Sequence, residues 1–177
     1  PKNIRFDSFQ KALTLADQRN LKNIVETGVA RGKIKFFFIK QYNWKDGMST
    51  LLFSEYAKYK NGNLYSCDIE KKNVDNAKFF CNDNIKFCNF YIDDSINFLK
   101  KFNKRIDFLY LDSLDGQIPG ASEHQLEEFK NAEKNLTKES IILLDDKGTK
   151  TNLSANYILK KGLKIINETD QQILFSY

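Results

Sequence analysis

Five short apolar runs in this chain each close on a carboxylate, and that repetition constrains the fold more than any other feature. The runs are Asn23–Glu26, Asn63–Asp68, Ile85–Ile92 followed by Asp93-Asp94, Ile106–Asp112 and Ile141–Asp146. Helical stretches separate or follow them: Ser49–Lys60, Lys71–Cys81, a helix capped by Asp93-Asp94-Ser95 and running to Phe102, Glu123–Asn135 and Asn152–Lys161. Strands that alternate with helices predict an α/β fold, a doubly wound and mostly parallel sheet with helices on both faces. Leu163–Asn167 and Gln172–Ser176 supply the sixth and seventh strands around the turn Glu168-Thr169-Asp170. So short a turn requires the last strand to run antiparallel to its neighbour. Lys2–Arg19 reads as a leading helix over the sheet, with a cap at Asp7 or Ser8.

In a parallel sheet all carboxyl ends lie on one edge. Glu26, Asp68, Asp94, Asp112 and the pair Asp145–Asp146 therefore gather around one crevice. Clustered carboxylates repel unless a ligand or cation offsets them, although each acid alone also reads as a helix cap or a solvated strand end. A length of 177 residues suits one domain, 1–177, with one sizeable core. The net charge of +5 is mild and its lysines are scattered, so it permits an anionic partner but does not argue for nucleic acid, and no nucleic-acid partner is expected. No apolar run approaches the ~20 residues that span a bilayer, and the N-terminus lacks the apolar core of a signal peptide. Cys67, Cys81 and Cys88 show no C-x-x-C spacing and read as reduced thiols, so a cytoplasmic location is expected.

The first strand runs into Glu26-x-Gly28-x-x-x-Gly32. This is neither the three-glycine dinucleotide fingerprint nor the phosphate loop. It reads either as a plain turn or as a loop that lets a ligand lie against main-chain atoms. An aromatic insertion at 33–46 follows, with Phe36-Phe37-Phe38-Ile39, Tyr42 and Trp44. A second glycine turn, Asp46-Gly47-Met48-Ser49-Thr50, then enters a helix. The insertion reads as a lid, as part of an acceptor pocket, as a partner-binding surface or as a plain surface hairpin.

On these residues the chain resembles the class I S-adenosylmethionine-dependent methyltransferases from Asn23 to Tyr177. The resemblance rests on Glu26-x-Gly28-x-x-x-Gly32, on Asp68 about forty residues later, on Asp94-Ser95 after the third strand, and on the antiparallel closing strand. It implies a Rossmann-like fold of seven strands that binds S-adenosyl-L-methionine. The loop residues Glu26, Gly28, Ala30 and Gly32, with Ser49, would pass under the methionine moiety. Asp68, with Ile69 beside it, would hold the ribose, since a carboxylate accepts from two vicinal hydroxyls in a fork. Asp94 and Ser95 would face the adenine, and Asp112 would complete the donor set. One departure stands out: the family's loop enters its helix at once, whereas here 33–46 intervenes.

Adjacent strands lie ~5 Å apart, so Asp112, Asp145 and Asp146 can share one hard cation. This is similar to the metal-dependent O-methyltransferase branch. There a Mg²⁺ at these strand ends binds the acceptor hydroxyls and lowers their pKa. In the other reading the acid pair caps the next loop and no metal binds. The catechol enzymes of that branch carry a lysine soon after the fourth-strand acid, but Asp112-Ser113-Leu114-Asp115-Gly116 has none. His124 and then Lys147 are the substitutes for a general base, and Asp115 could serve only with a raised pKa. His124 also reads as a helix-start residue without chemistry. Neither the Asp/Asn-Pro-Pro-aromatic run of amine methylation nor a Pro-Cys nucleophile is present, which favours a small-molecule hydroxyl acceptor bordered by the loop Gly116–Ser122. A homo-oligomer is compatible with this reading. The rivals are a non-catalytic protein on the same scaffold and an enzyme that cleaves the donor.

Overall fold

The apolar runs form the strands that their alternation with helices predicts. The computed structural model describes residues 3–31, 33–36, 39–42 and 48–177. The elements are α1 (Phe6–Gln18), β1 (Asn23–Thr27), β2 (Lys33–Phe36), β3 (Ile39–Tyr42), α2 (Ser49–Lys60), β4 (Asn63–Asp68), α3 (Lys71–Phe80), β5 (Cys88–Ile92) and α4 (Ser95–Lys101). After these come β6 (Ile106–Leu111), α5 (Ala121–Glu133), β7 (Leu136–Asp145), α6 (Asn152–Lys160), β8 (Lys164–Glu168) and β9 (Gln172–Ser176).

Seven strands make one sheet in the order β5-β4-β1-β6-β7-β9-β8. β1 pairs in parallel with β4 on one side and β6 on the other, so the strand order reverses at β1 and a crevice opens above its carboxyl end. β9 runs antiparallel to β8, as the short turn requires, and is antiparallel to β7 as well. The Rossmann-like architecture expected of the chain is therefore present, with the antiparallel closing strands in place.

The phenylalanine-rich composition is spent on the two faces of the sheet. β6 is buried along its length, and its side chains alternate. Phe108 and Tyr110 meet Phe53 of α2, at ring-centroid distances of 5.2 and 5.4 Å, and Tyr110 also meets Phe9 of α1 at 5.5 Å. Leu109 and Leu111 point the other way, into a cluster with Phe98, Leu99 and Phe129 from α4 and α5 and Ile158 from α6. Each such fully buried side chain contributes roughly 1.5–3 kcal/mol.

Three sequence expectations need correction. The strand placed at Ile85–Ile92 begins only at Cys88, because Asn82–Phe87 winds as a 3-10 turn. The buried Asn84 holds that turn by donating to Ser54 Oγ (3.1 Å) and Glu55 Oε1 (2.7 Å). Neither Asp7 nor Ser8 caps α1; the cap position is Arg5, and the Ser8 hydroxyl turns inward to Arg5 O and Gln172 Oε1. The strand ending at Asp145 starts at Leu136, five residues before the apolar run. In the 33–46 stretch, β2 and β3 pair antiparallel as a two-stranded ribbon separate from the main sheet. The roles expected of its aromatic side chains, of Gly32 and of Gly47 lie outside the described residues. The three cysteines are free thiols. No helix among the described residues is long and apolar enough to cross a membrane.

Candidate functional site

The floor of the crevice is backbone. Gly28 follows β1 with φ +78°, donates to Cys67 O (2.8 Å), and lies so near the loop after β6 that a Cβ would fall 2.2 Å from Asp112 O. The Asp112 amide in turn donates to Thr27 O at 2.9 Å. Only glycine meets both demands, the positive φ and the close approach. Gly28, Asp68, Ile69, Ser113 and Leu114 line two adjoining cavities. One, of about 190 Å³, continues over Arg5, Ala30, Ser49, Tyr110, Asp112 and Asp115. The other, of about 150 Å³, continues over Cys67, Asp94, Ser95 and His124.

Asp68 sits between the two. Its carboxylate accepts from the backbone amides of Val29 (3.2 Å) and Glu70 (2.8 Å) and from the Asn73 side-chain amide (3.3 Å). Ile69 is 67% exposed and offers an apolar shelf beside it. Asp94 caps α4 by accepting from Asn97 N at 2.9 Å. The Ser95 hydroxyl lies 2.9 Å from His124 Nε2. One buried hydroxyl here, Ser113 Oγ, has no hydrogen-bond partner among the described residues. Burying an unpaired hydroxyl costs about 1–3 kcal/mol, so the floor suits a polar ligand that would satisfy it.

Glu26, expected against the ligand, lines neither cavity. It is fully buried, and its two oxygens accept from Ser49 Oγ (2.6 Å) and Ser66 Oγ (2.7 Å). It acts as a buttress for the loop, because Ser49 lines the cavity and the next hydroxyl, Thr50 Oγ1, accepts from Ala30 N at 2.8 Å. Burial pushes Glu26 up to about 7, against the hydroxyls that stabilise its charge. The native state thus binds more protons than the unfolded chain between the ordinary 4.5 and about 7, and stability falls as pH rises through that window. Glu26→Gln removes the slope. The variant is expected to gain on wild type by about 1.4 kcal/mol per pH unit there, read from urea midpoints at pH 5 and pH 7.5. A difference that does not change with pH would mean that Glu26 is ionised throughout.

Neither candidate base turns its side chain to the acids at the ends of β6 and β7, although Lys147 directly follows Asp146 in the chain. His124 is at the Asp94–Ser95 end, where the buried Glu128 carboxylate, 3.7 Å away, raises its pKa against the effect of burial. Lys147 pairs with Glu168 at 2.9 Å and lines neither cavity.

Asp112, Asp145 and Asp146 do come together, with one carboxylate oxygen from each within 4.8 Å of the others. Two cations that the sequence did not point to already sit among them. Arg5, at the start of α1, donates through Nε to both oxygens of Asp145 (2.8 and 3.0 Å) and lies 3.5 Å from Asp146 through Nη2. Lys150 Nζ lies 3.2 Å from Asp112 and 3.2 Å from Asp146. Burial alone would lower the pKa of Lys150, but Asp112, Asp146 and Asp145 outweigh it and keep the amine charged. Burial and the neighbouring Asp145 push Asp112 well above the usual carboxylate range. Three carboxylates thus face two cations. A divalent ion placed ~4 Å from the Lys150 ammonium would meet a repulsion of about 8 kcal/mol at a surface-like dielectric. The oxygens are of the right kind for a hard cation, but as they are paired they do not fit a resident one.

A family profile described as a methyltransferase domain matches residues 44–147. No curated protein matches the sequence. Several solved structures share the fold. The SAH-bound methyltransferase PaMTH1 of Podospora anserina superposes with a TM-score of 0.67 at 12% identity, over 96% of this chain and 77% of that one. The O-methyltransferase NovP gives 0.70 at 11% identity, over 98% and 79%. An rRNA methylase from Streptococcus thermophilus gives 0.63 at 10% identity, over 95% of each.

Proposed function

The chain belongs to the methyltransferase-domain family of class I S-adenosylmethionine-dependent enzymes, and from that membership we propose that it methylates a hydroxyl of a small molecule. The observation that carries the reading is the pair of adjoining cavities over the carboxyl ends of β1, β4 and β6, with Asp68 between them. When bound, S-adenosylmethionine supplies an electrophilic methyl group on a sulfonium sulfur. In this chain Asp94, Ser95 and His124 would face its adenine, Asp68 its ribose hydroxyls, and Gly28, Ala30 and Ser49 its methionine part. The unpartnered Ser113 hydroxyl, which lines both cavities, and the bare backbone at Gly28 support that fit.

The acceptor would enter over Arg5, Tyr110, Asp112 and Asp115, with Ile118 of the Gly116–Ser122 loop at the rim. Asp112 is the carboxylate placed to take the acceptor's hydrogen bond. It faces the cavity, Tyr110 Oη donates to its Oδ2 at 3.2 Å, and Lys150 holds its Oδ1. His124 then serves the nucleoside end rather than the proton transfer. The O-methyltransferase among the structural relatives supports a hydroxyl acceptor, and the rRNA methylase supplies the rival substrate class.

Calorimetry with S-adenosylmethionine tests the donor assignment. Asp68→Ala is expected to weaken donor binding by about 10- to 100-fold, the worth of hydrogen bonds to a charged acceptor, and to lower Tm by a few degrees through the Val29 and Glu70 amides it leaves unpaired. A wild-type protein that binds no donor would leave a non-catalytic scaffold. Methyl-labelled donor then separates the remaining alternatives: label in small phenols or sugars supports the proposal, label in RNA overturns the acceptor class, and label released without any acceptor means cleavage.

A further inference from the structure

We propose that Lys150 is the built-in counter-cation of the Asp112–Asp145–Asp146 cluster, so that the cluster takes no divalent ion and methyl transfer proceeds without one. The first half of the proposal stands on the cluster alone; the second rests on the methyltransferase reading. All six carboxylate oxygens are already engaged. Asp112 uses Oδ1 for Lys150 and Oδ2 for the Tyr110 hydroxyl. Asp145 gives both oxygens to Arg5, and Asp146 gives Oδ1 to Arg5 and Oδ2 to Lys150. A hard cation would have to draw these oxygens to short range against the two cations and the hydroxyl that already hold them, although each keeps a second lone pair for a neutral donor such as an acceptor hydroxyl.

Lys150 is not a surface side chain that happens to have folded inward. It is 1% exposed, and it enters from the turn that starts α6. The Gly116 backbone packs above it, with the position of a Gly116 Cβ 3.6 Å from Lys150 Cβ and 3.4 Å from Asp146 Cβ. The loop after β6 thus lies against the stem of the Lys150 side chain, whose ammonium is held between Asp112 and Asp146. By bridging Asp112 and Asp146 it ties the ends of β6 and β7 together and aims Asp112 at the cavity, which makes it a positioning residue. Remove that one charge and three carboxylates face Arg5 alone, the composition that recruits a divalent ion.

Titration of the whole chain with Mn²⁺, followed by electron paramagnetic resonance and by thermal shift, tests this without depending on any acceptor. Wild type is expected to show no saturable Mn²⁺ binding at millimolar ion and no rise in Tm; separately, with an acceptor in hand, methyl transfer should be undiminished in excess EDTA, and its loss there would overturn the second half of the proposal. Lys150→Met is expected to bind Mn²⁺ at least about tenfold more tightly than wild type and to gain Tm with added ion. Adding Asp146→Asn to Lys150→Met is expected to abolish the gain. Stoichiometric Mn²⁺ binding to wild type that is lost in Asp112→Asn would overturn the proposal, whether or not Lys150→Met folds. A folded Lys150→Met that takes up no ion would equally remove Lys150 from the role. If the chain binds no donor at all, the methyltransferase reading fails while the ion titration still decides the charge assignment.

Discussion

Gly28→Ala is expected to remove measurable donor binding and to lower Tm by about 10 °C. Two costs add at this position. The backbone has φ +78°, which strains any L-residue by about 1–2 kcal/mol. The new methyl would also lie 2.2 Å from Asp112 O and 2.9 Å from Ser113 Cα, both backbone atoms that cannot swing aside. Overpacking of this kind costs about 1–3 kcal/mol, so a total near 3 kcal/mol is expected, and for a chain of this size each kcal/mol moves Tm by about 2–4 °C. The loops after β1 and β6 would have to part, breaking the Asp112 N to Thr27 O bond that joins the floor of the two cavities. Gly162→Ala separates strain from overlap. Its φ is +89°, but nothing lies within 4 Å of its Cβ position, and it follows α6 away from the crevice. That variant should lose about 1 kcal/mol and bind donor as wild type does. Equal donor affinity in Gly28→Ala, measured by calorimetry, would take the ligand off this loop.

What the sequence made legible was local. Hydrophobic runs of strand length between helical stretches are short-range patterns, so β1, β4, β6, β7 and the edge that gathers Asp68, Asp94, Asp112 and Asp145 could be read directly. The side on which a residue acts was harder to read. A residue at the end of a strand is certain to be near the crevice, but one position of phase decides whether it faces the ligand or a helix. Asp68 faces the cavity, whereas Glu26 turns toward Ser49 and Ser66, and nothing in Ile24–Gly32 distinguishes the two outcomes. The cations were the largest gap. Lys150 follows Asp146 by four residues, a spacing that pairs side chains on one turn and that could have drawn attention to it over Lys147. Arg5 is separated from Asp145 by 140 residues, and no periodicity connects them. Only the packing of α1 across the sheet brings them together.

That distant pair sets the second large effect. Arg5→Ala is expected to destabilise the protein by about 3–5 kcal/mol, because Asp145 is fully buried and its two oxygens would lose both hydrogen bonds and their countercharge. A surface ion pair would cost ~1 kcal/mol or less, so the size of the loss reports the burial. Arg5→Lys should recover only part of it, since a point ammonium cannot place one donor between the two Asp145 oxygens, as Nε does at 2.8 and 3.0 Å, while a second, Nη2, reaches Asp146. The double variant Arg5→Ala with Asp145→Asn should be more stable than Arg5→Ala alone, because the amide removes the uncompensated charge while keeping the shape. Urea unfolding of the four proteins in that cycle yields the coupling directly, and an interaction below about 0.5 kcal/mol would show the two residues to be independent. Arg5 also lines the cavity beside Asp112, so acceptor turnover in Arg5→Ala should fall more than donor affinity, whose contacts lie on Asp68 and beyond. Loss of both to the same degree would instead mean that α1 holds the whole crevice in shape, and that its first residues serve the fold before they serve the acceptor.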